Sequence, residues 1–111
     1  MKIDFSDFAK VDMRIGKILN VEMNEKARKP AFRIWVDLGP ELGIMKSSAQ
    51  FTEIYSPGDL TGKLVVCVVN FAPKIIAGFA SEVLILGAEN EEGAVVILQP
   101  ERDVPPGERV F

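Results

Sequence analysis

The chain contains no histidine and a single cysteine, Cys67. Without imidazole there is no Ser-His-Asp or Cys-His catalytic arrangement, and zinc sites of the usual kind lack their ligands. A lone cysteine forms no intrachain disulfide, and Cys67 lies inside the most apolar run, where a thiol serves as a small core hydrophobe. No GxGxxG or GxxxxGK[ST] pattern occurs, so a nucleotide held by a glycine loop has no support. Adjacent carboxylates stand at Glu91 and Glu92, but in the turn sequence NEEG they read as a solvated hairpin. These absences argue against an enzyme and leave no residue set for a metal or a cofactor.

Long apolar runs are missing too. None approaches the roughly 20 residues that a membrane-spanning helix needs, and the start MKIDFSDF has acids where a secretory signal would be apolar. The expectation is a cytoplasmic protein with no membrane insertion. A length of 111 residues, with 48% hydrophobic and 26% charged, fits one globular domain over residues 1–111. The net charge of -3 argues against coating nucleic acid by bulk electrostatics. The charge is unevenly spread, however: residues 1–46 carry nine Lys/Arg against seven Asp/Glu, and residues 47–111 carry four against nine. A local basic patch forms if Lys26, Arg28, Lys29, Arg33 and Lys46 converge; otherwise these charges are a solvated surface.

What the chain does have is strands. Met13 to Met23 alternates imperfectly around Gly16, predicting a long strand with a bulge or sharp coil at the glycine. Asn24 to Pro30, NEKARKP, is a charged turn. In Ala31 to Gly39, Phe32, Ile34, Val36 and Leu38 alternate against Arg33, Trp35 and Asp37, the period of a half-buried strand. Trp35 falls on the nominally polar face, so it either packs against a neighbouring loop or is exposed as a contact residue. Ile44 to Phe51 returns as a third strand, with Ser47, Ser48 and Gln50 lining either an edge or a groove. PGDL at Pro57 opens about one helical turn. Two apolar strands follow, Leu64 to Phe71 and Glu82 to Gly87, and a short AVVIL strand comes after Asn90 to Gly93.

The connection between the two apolar strands is unusual, because Ile75, Ile76 and Phe79 are large and apolar where a surface loop is expected. The domain core, a second subunit or a ligand must cover them. Near the N-terminus, Phe5 and Phe8 share a face of a turn too short to hold itself in water, so they need a docking surface as well.

Five or six short strands with one minor helix predict an all-β fold, a small antiparallel barrel. A glycine in the first strand and a helical turn between the third and fourth are the organisation of the oligonucleotide/oligosaccharide-binding (OB) barrel. Its ligand face would lie on the second and third strands, at Trp35 and Lys46 to Gln50. A cation and two hydroxyls in Lys46-Ser47-Ser48 suit phosphate and sugar oxygens, whereas Ile75, Ile76 and Phe79 suit a peptide groove or a subunit seam.

Several segments carry a resemblance: DMRIGK at Asp12, VDLG at Val36, KSSAQ at Lys46, VVNFAPK at Val68, IAGF at Ile76 and SEVLILG at Ser81. The chain resembles the CsaA-type, secretion-chaperone-like branch of the tRNA-binding domain family, from Phe5 to Gly107. That family includes C-terminal domains of some methionyl-tRNA synthetases and the endothelial monocyte-activating polypeptide domain. The resemblance implies a five-stranded OB barrel with N- and C-terminal extensions that build a homodimer. It also implies a chaperone-like activity that binds unfolded preprotein segments and the export machinery, with tRNA as the alternative ligand. Carried over, the site comprises Ser47, Ser48, Ala49, Gln50, Asn70, Phe71, Pro73, Lys74, Ile76, Gly78, Phe79, Ser81 and Glu82, to which Trp35, Lys46 and Ile75 are added. Phe5, Phe8, Val104 and Val110 are expected near the dimer seam. Two departures stand out: family members often have basic residues where this chain has Ile75 and Ala80. Both losses are expected to weaken tRNA binding and favour an apolar peptide.

Overall fold

In the computed structural model, which describes residues 1–111, the imperfect alternation of Met13–Met23 becomes one long strand, β1, that serves two partners. Its first part, Met13 to Lys17, pairs antiparallel with β4 (Leu64–Val68), and Lys17 to Met23 pairs with β2 (Phe32–Asp37). β2 pairs in turn with β3 (Ile44–Ala49), and β4 with the two-residue β7 (Leu84–Ile85). The sheet order is therefore β3-β2-β1-β4-β7. Its ends come together where the Lys46 carbonyl accepts hydrogen bonds from the Glu82 and Val83 amides, at 2.8 and 3.2 Å. A five-stranded, nearly closed antiparallel barrel of this order is an OB fold.

The period-two pattern of β2 fills the barrel: Phe32, Ile34 and Val36 are buried, while Arg33, Trp35 and Asp37 alternate outward. Ile18, Leu38, Val65 and Cys67 join them at 0% exposure. Burial pushes the Cys67 thiol up to about 12, so the folded protein keeps it protonated and unreactive. Leu60 plugs one end from the short helix α3 (Pro57–Leu60), whose entry is fixed by reciprocal Ser56 and Asp59 hydrogen bonds.

Three expectations are corrected. The bulge of β1 falls between Ile18 and Asn20, not at Gly16. Gly16 is needed for space instead, since a Cβ there would lie 2.4 Å from Val36 Cγ1 and 2.9 Å from Leu38 Cδ2. A further short helix, α2 (Gly39–Leu42), stands where only a turn was expected, while the turn carrying Phe5 and Phe8 is helical, α1 (Phe5–Ala9), and capped at Asp4. None of the helices is long and apolar enough to cross a membrane. Finally, the fourth strand stops at Val68, short of Phe71, and the unusual connection beyond it is a hairpin of β5 (Lys74–Ile76) and β6 (Phe79–Ser81). The AVVIL strand becomes β9 (Val95–Ile97), paired with β8 (Gly87–Glu89) outside the barrel sheet.

The C-terminal segment completes the flank of β1 that β2 leaves open. Ile15 N–H donates to the Glu108 carbonyl at 2.9 Å, Gly107 N–H to that of Ile15 at 2.7 Å, and Val110 N–H to that of Met13 at 2.8 Å. This approach brings backbone against backbone: a Cβ on Gly39 would meet the Pro106 carbonyl at 2.5 Å, and one on Gly107 the Leu38 carbonyl at 2.7 Å.

A Gly16→Val substitution should overpack the barrel and destabilise it by about 1–3 kcal/mol, seen as a lower urea midpoint. Thiol labelling of Cys67 in native buffer should accelerate in the same variant, because the buried thiol reacts only through opening.

Candidate ligand-binding face

The β5–β6 hairpin turns through Ala77 and Gly78, both left-handed at φ 48° and 78°, as the commonest two-residue hairpin turn requires. Cross-strand pairing sorts its side chains. Lys74 pairs with Ser81 and Ile76 with Phe79 on one face, and Ile75 pairs with Ala80 on the other. The first face lies on the outer side of β2 and β3. There Phe79, 7% exposed, packs against Trp35 with ring centroids 5.5 Å apart at 75°. Two cations approach the same ring: the Arg33 guanidinium carbon at 5.5 Å and Lys46 Nζ at 5.3 Å from its centroid. Side chains hold the hairpin base to the β3 edge, since Ser48 N–H donates to Ser81 Oγ (2.9 Å) and Lys46 N–H to Glu82 Oε1 (3.0 Å).

Two hollows flank this stack. One is a groove of about 430 Å³ lined by Ser48, Phe71, Ala72, Lys74, Ile76, Ser81, Glu82, Val83 and Leu84. Phe71 and Leu84 remain 58% and 47% exposed at its walls. The other, of about 510 Å³, lies between the hairpin and the charged turn, and Lys26, Arg28, Lys29, Gln50, Ile76 and Ala77 line it. Asn24 shapes that turn: its Oδ1 accepts from Lys26 N–H and Arg33 Nη2, while its own backbone N–H donates to the Ala31 carbonyl. No carboxylate forms an ion pair with Lys26, Arg28, Lys29, Arg33 or Lys46. The five cations thus gather on one side, three at the hollow and two on the Phe79 ring.

Of the residues singled out from the sequence, Ser48, Phe71, Lys74, Ile76, Ser81 and Glu82 meet at the groove. Trp35, Lys46 and Phe79 form the stack beside it, so Trp35 packs on the neighbouring connection rather than standing free. Gln50 faces the basic hollow, and Pro73 is exposed where the chain enters the hairpin. Ser47 departs from expectation: on the interior face of β3 it is 1% exposed, out of reach of a surface ligand. Ile75 is 68% exposed on the outer hairpin face, opposite the groove. The two departures from the family pattern, Ile75 and Ala80, are therefore one cross-strand pair and not a cavity rim. The basic turn was visible as a cluster of charge, but its placement against the hairpin depends on contacts that no local pattern encodes.

Asn70 acts as a clamp rather than as a lining residue. Its Nδ2 donates to the Lys10 carbonyl (2.7 Å) and its Oδ1 accepts from Asp12 N–H (3.0 Å), tying the chain after β4 to the segment that leaves α1. Arg14 continues the tie, donating to Asp12 Oδ1 (2.6 Å) and to the Gly107 carbonyl (3.1 Å). Arg109 reaches the Ala9 carbonyl. These bonds bring the end of α1 and the C-terminal segment together. Phe5 is 78% exposed and Phe8 half-buried, with rings 6.0 Å apart, while Val104 lines a separate small hollow with Lys17 and Leu64.

An OB barrel carrying an aromatic and cationic face defines a binding module. Residues 13–109 match the family model described as "Putative tRNA binding domain", and the chain belongs to that family. It is similar over its whole length to the crystal structure of the chaperone CsaA of Bacillus anthracis str. Ames, at 48% identity and a TM-score of 0.93, with both chains fully covered. The CsaA chaperone protein of Picrophilus torridus is 41% identical at a TM-score of 0.93, covering 99% of this chain and 100% of that one. The methionine--tRNA ligase of Archaeoglobus fulgidus is 39% identical over 109 residues, which are 98% of this chain and 16% of the ligase. The chain thus spans about a sixth of the length of that ligase.

The Arg14 hydrogen bond holds the Asp12 carboxyl below its ordinary value of 3.8, outweighing partial desolvation. A depressed carboxylate stabilises the fold fully above that ordinary value and progressively less as pH falls through the lowered one. Thermal melts of the protein should therefore fall more steeply below about pH 4 than those of Asp12→Asn. Equal slopes for the two would remove Asp12 from the acid response.

Proposed function

We propose that the chain is a dimeric, non-enzymatic binding protein of the CsaA type that holds unfolded peptide segments in the groove between the β5–β6 hairpin and β7. The groove itself carries this reading: a concavity of about 430 Å³ walled by exposed Phe71 and Leu84, with Lys74 as its one cation. Apolar walls with few polar groups suit side chains of an extended peptide better than a phosphate backbone. Likeness to two CsaA chaperones over nearly the whole chain supports the same direction. Preprotein clients of an export pathway, handled in the cytoplasm, are the physiological role that accompanies this reading.

A second reading, structured RNA such as tRNA, is favoured by a different observation: Lys26, Arg28 and Lys29 line the second hollow without carboxylate partners. Polarisation titrations with an unfolded, signal-bearing peptide and with tRNA at 50 and 200 mM salt separate the two. Under the peptide reading, micromolar peptide affinity changes less than about threefold between these salts and falls about tenfold in Phe71→Ser. Tight tRNA binding that drops more than about tenfold with salt and collapses in Lys26→Ala/Lys29→Ala, without peptide binding, reverses the order.

The dimer rests on α1, which buries no residue against its own barrel although a five-residue helix cannot persist alone in water. A second subunit covering Phe5 and Phe8, with Val104 and Val110 nearby, supplies the missing surface. Light scattering at tens of micromolar should report twice the chain mass of 12.2 kDa, and a mass of one chain would refute the assembly.

A further inference from the structure

Phe79 is buried against a half-buried Trp35, yet neither belongs to the contiguous core of the barrel. Their contact lies on the outer side of β2 and β3, the side on which an OB barrel receives its ligand. The Phe79 ring has an aromatic neighbour across one edge and two unpaired cations within 5.5 Å, surroundings that suit a stacked nucleobase. One feature of the slot does not suit phenylalanine. Arg33 Nε, on the side chain that lies over the Phe79 ring, is buried with no hydrogen-bond acceptor, as is Nδ2 of Asn24, whose Oδ1 accepts from the same guanidinium. Orphaned buried donors are costly, and a benzene ring offers them nothing. A ring carrying carbonyl and imino acceptors would fill the same space and satisfy donors of this kind.

The cover over the slot is lightly built. The hairpin has three residues per strand and a non-glycine residue, Ala77, held at φ 48°. It joins the β3 edge only at its base, through two side-chain caps and the Glu82 and Val83 amides on the Lys46 carbonyl, with no backbone ladder between β6 and β3. Beside its turn stand Lys26, Arg28 and Lys29, which line a hollow with Ile76 and Ala77 and form no ion pair with a carboxylate.

We infer that Phe79 is a built-in occupant of a nucleobase site, and that lifting the β5–β6 hairpin admits a single-stranded RNA base onto Trp35 with its phosphates on the 26–29 turn. This rests on the RNA-binding reading and adds to it a site that is closed in the resting protein. Shape recognition of a folded tRNA would not require it.

Trp35 is the only tryptophan, so its fluorescence reports the slot directly. The probes are a ten-nucleotide oligouridylate and an abasic ribose-phosphate of equal length, at 50 mM salt. Phe79→Ala should bind the oligouridylate about tenfold tighter than the unsubstituted protein and quench Trp35, while the abasic strand binds both proteins equally and quenches neither. Unchanged affinity without quenching in Phe79→Ala overturns the inference, and if tRNA still binds, the RNA reading survives alone. Failure of both proteins to bind either strand or tRNA overturns both. Should Phe79→Ala fail to fold, NMR of the unsubstituted protein decides. Loss of the Phe79–Trp35 ring contact on adding oligouridylate supports the site, and its persistence in the bound state refutes it.

Discussion

β1 must be paired twice, and most of the molecule follows from how that is done. Its first half lies between β4 and the C-terminal segment, and its second half runs beside β2. The exchange of partners falls at Lys17, next to the one position where no side chain fits beneath Val36 and Leu38. Curling a single strand across two sheet directions lets five short strands nearly close, leaving the outer side of β2 and β3 for other uses. Remove the close approach at Gly16 and β2 cannot lie where its Trp35 and Arg33 meet the hairpin.

The barrel was legible because its signal is local. Phe32, Ile34 and Val36 repeat with period two, and PGDL announces α3 with a proline at its first turn. The binding face was legible only in part. Ser48, Phe71, Lys74, Ile76, Ser81 and Glu82 do converge, although Ser48 lies on β3 and the others on the stretch from Phe71 to Glu82. The hairpin escaped notice because Ala77-Gly78 is a weak turn signal beside Asn-Gly and its strands are too short to show alternation. Asn70 read as a ligand contact, because a long-range side-chain bond to Lys10 leaves no trace in neighbouring residues. Ser47 was misplaced for a simpler reason: a small hydroxyl residue gives no clue as to which face of a strand is buried.

The hairpin separates the two candidate ligand chemistries in space. Its inner face covers an aromatic and cationic stack, its flank opens onto an apolar groove, and its outer face presents the uncharged pair Ile75 and Ala80. A change of residue at position 75 or 80 would alter the surface potential of the outer face without touching the groove.

The C-terminal segment has a consequence for the order of events during synthesis. Residues 107–110 complete the hydrogen bonding of residues 13–15, so the first strand waits for residues more than ninety positions further along. Until position 110 has cleared the ribosome, the flank of β1 at Ile15 is an open edge. A nascent chain stalled before Gly107 would expose that edge for the whole pause, which makes slow translation just ahead of that glycine a specific route to misassembly.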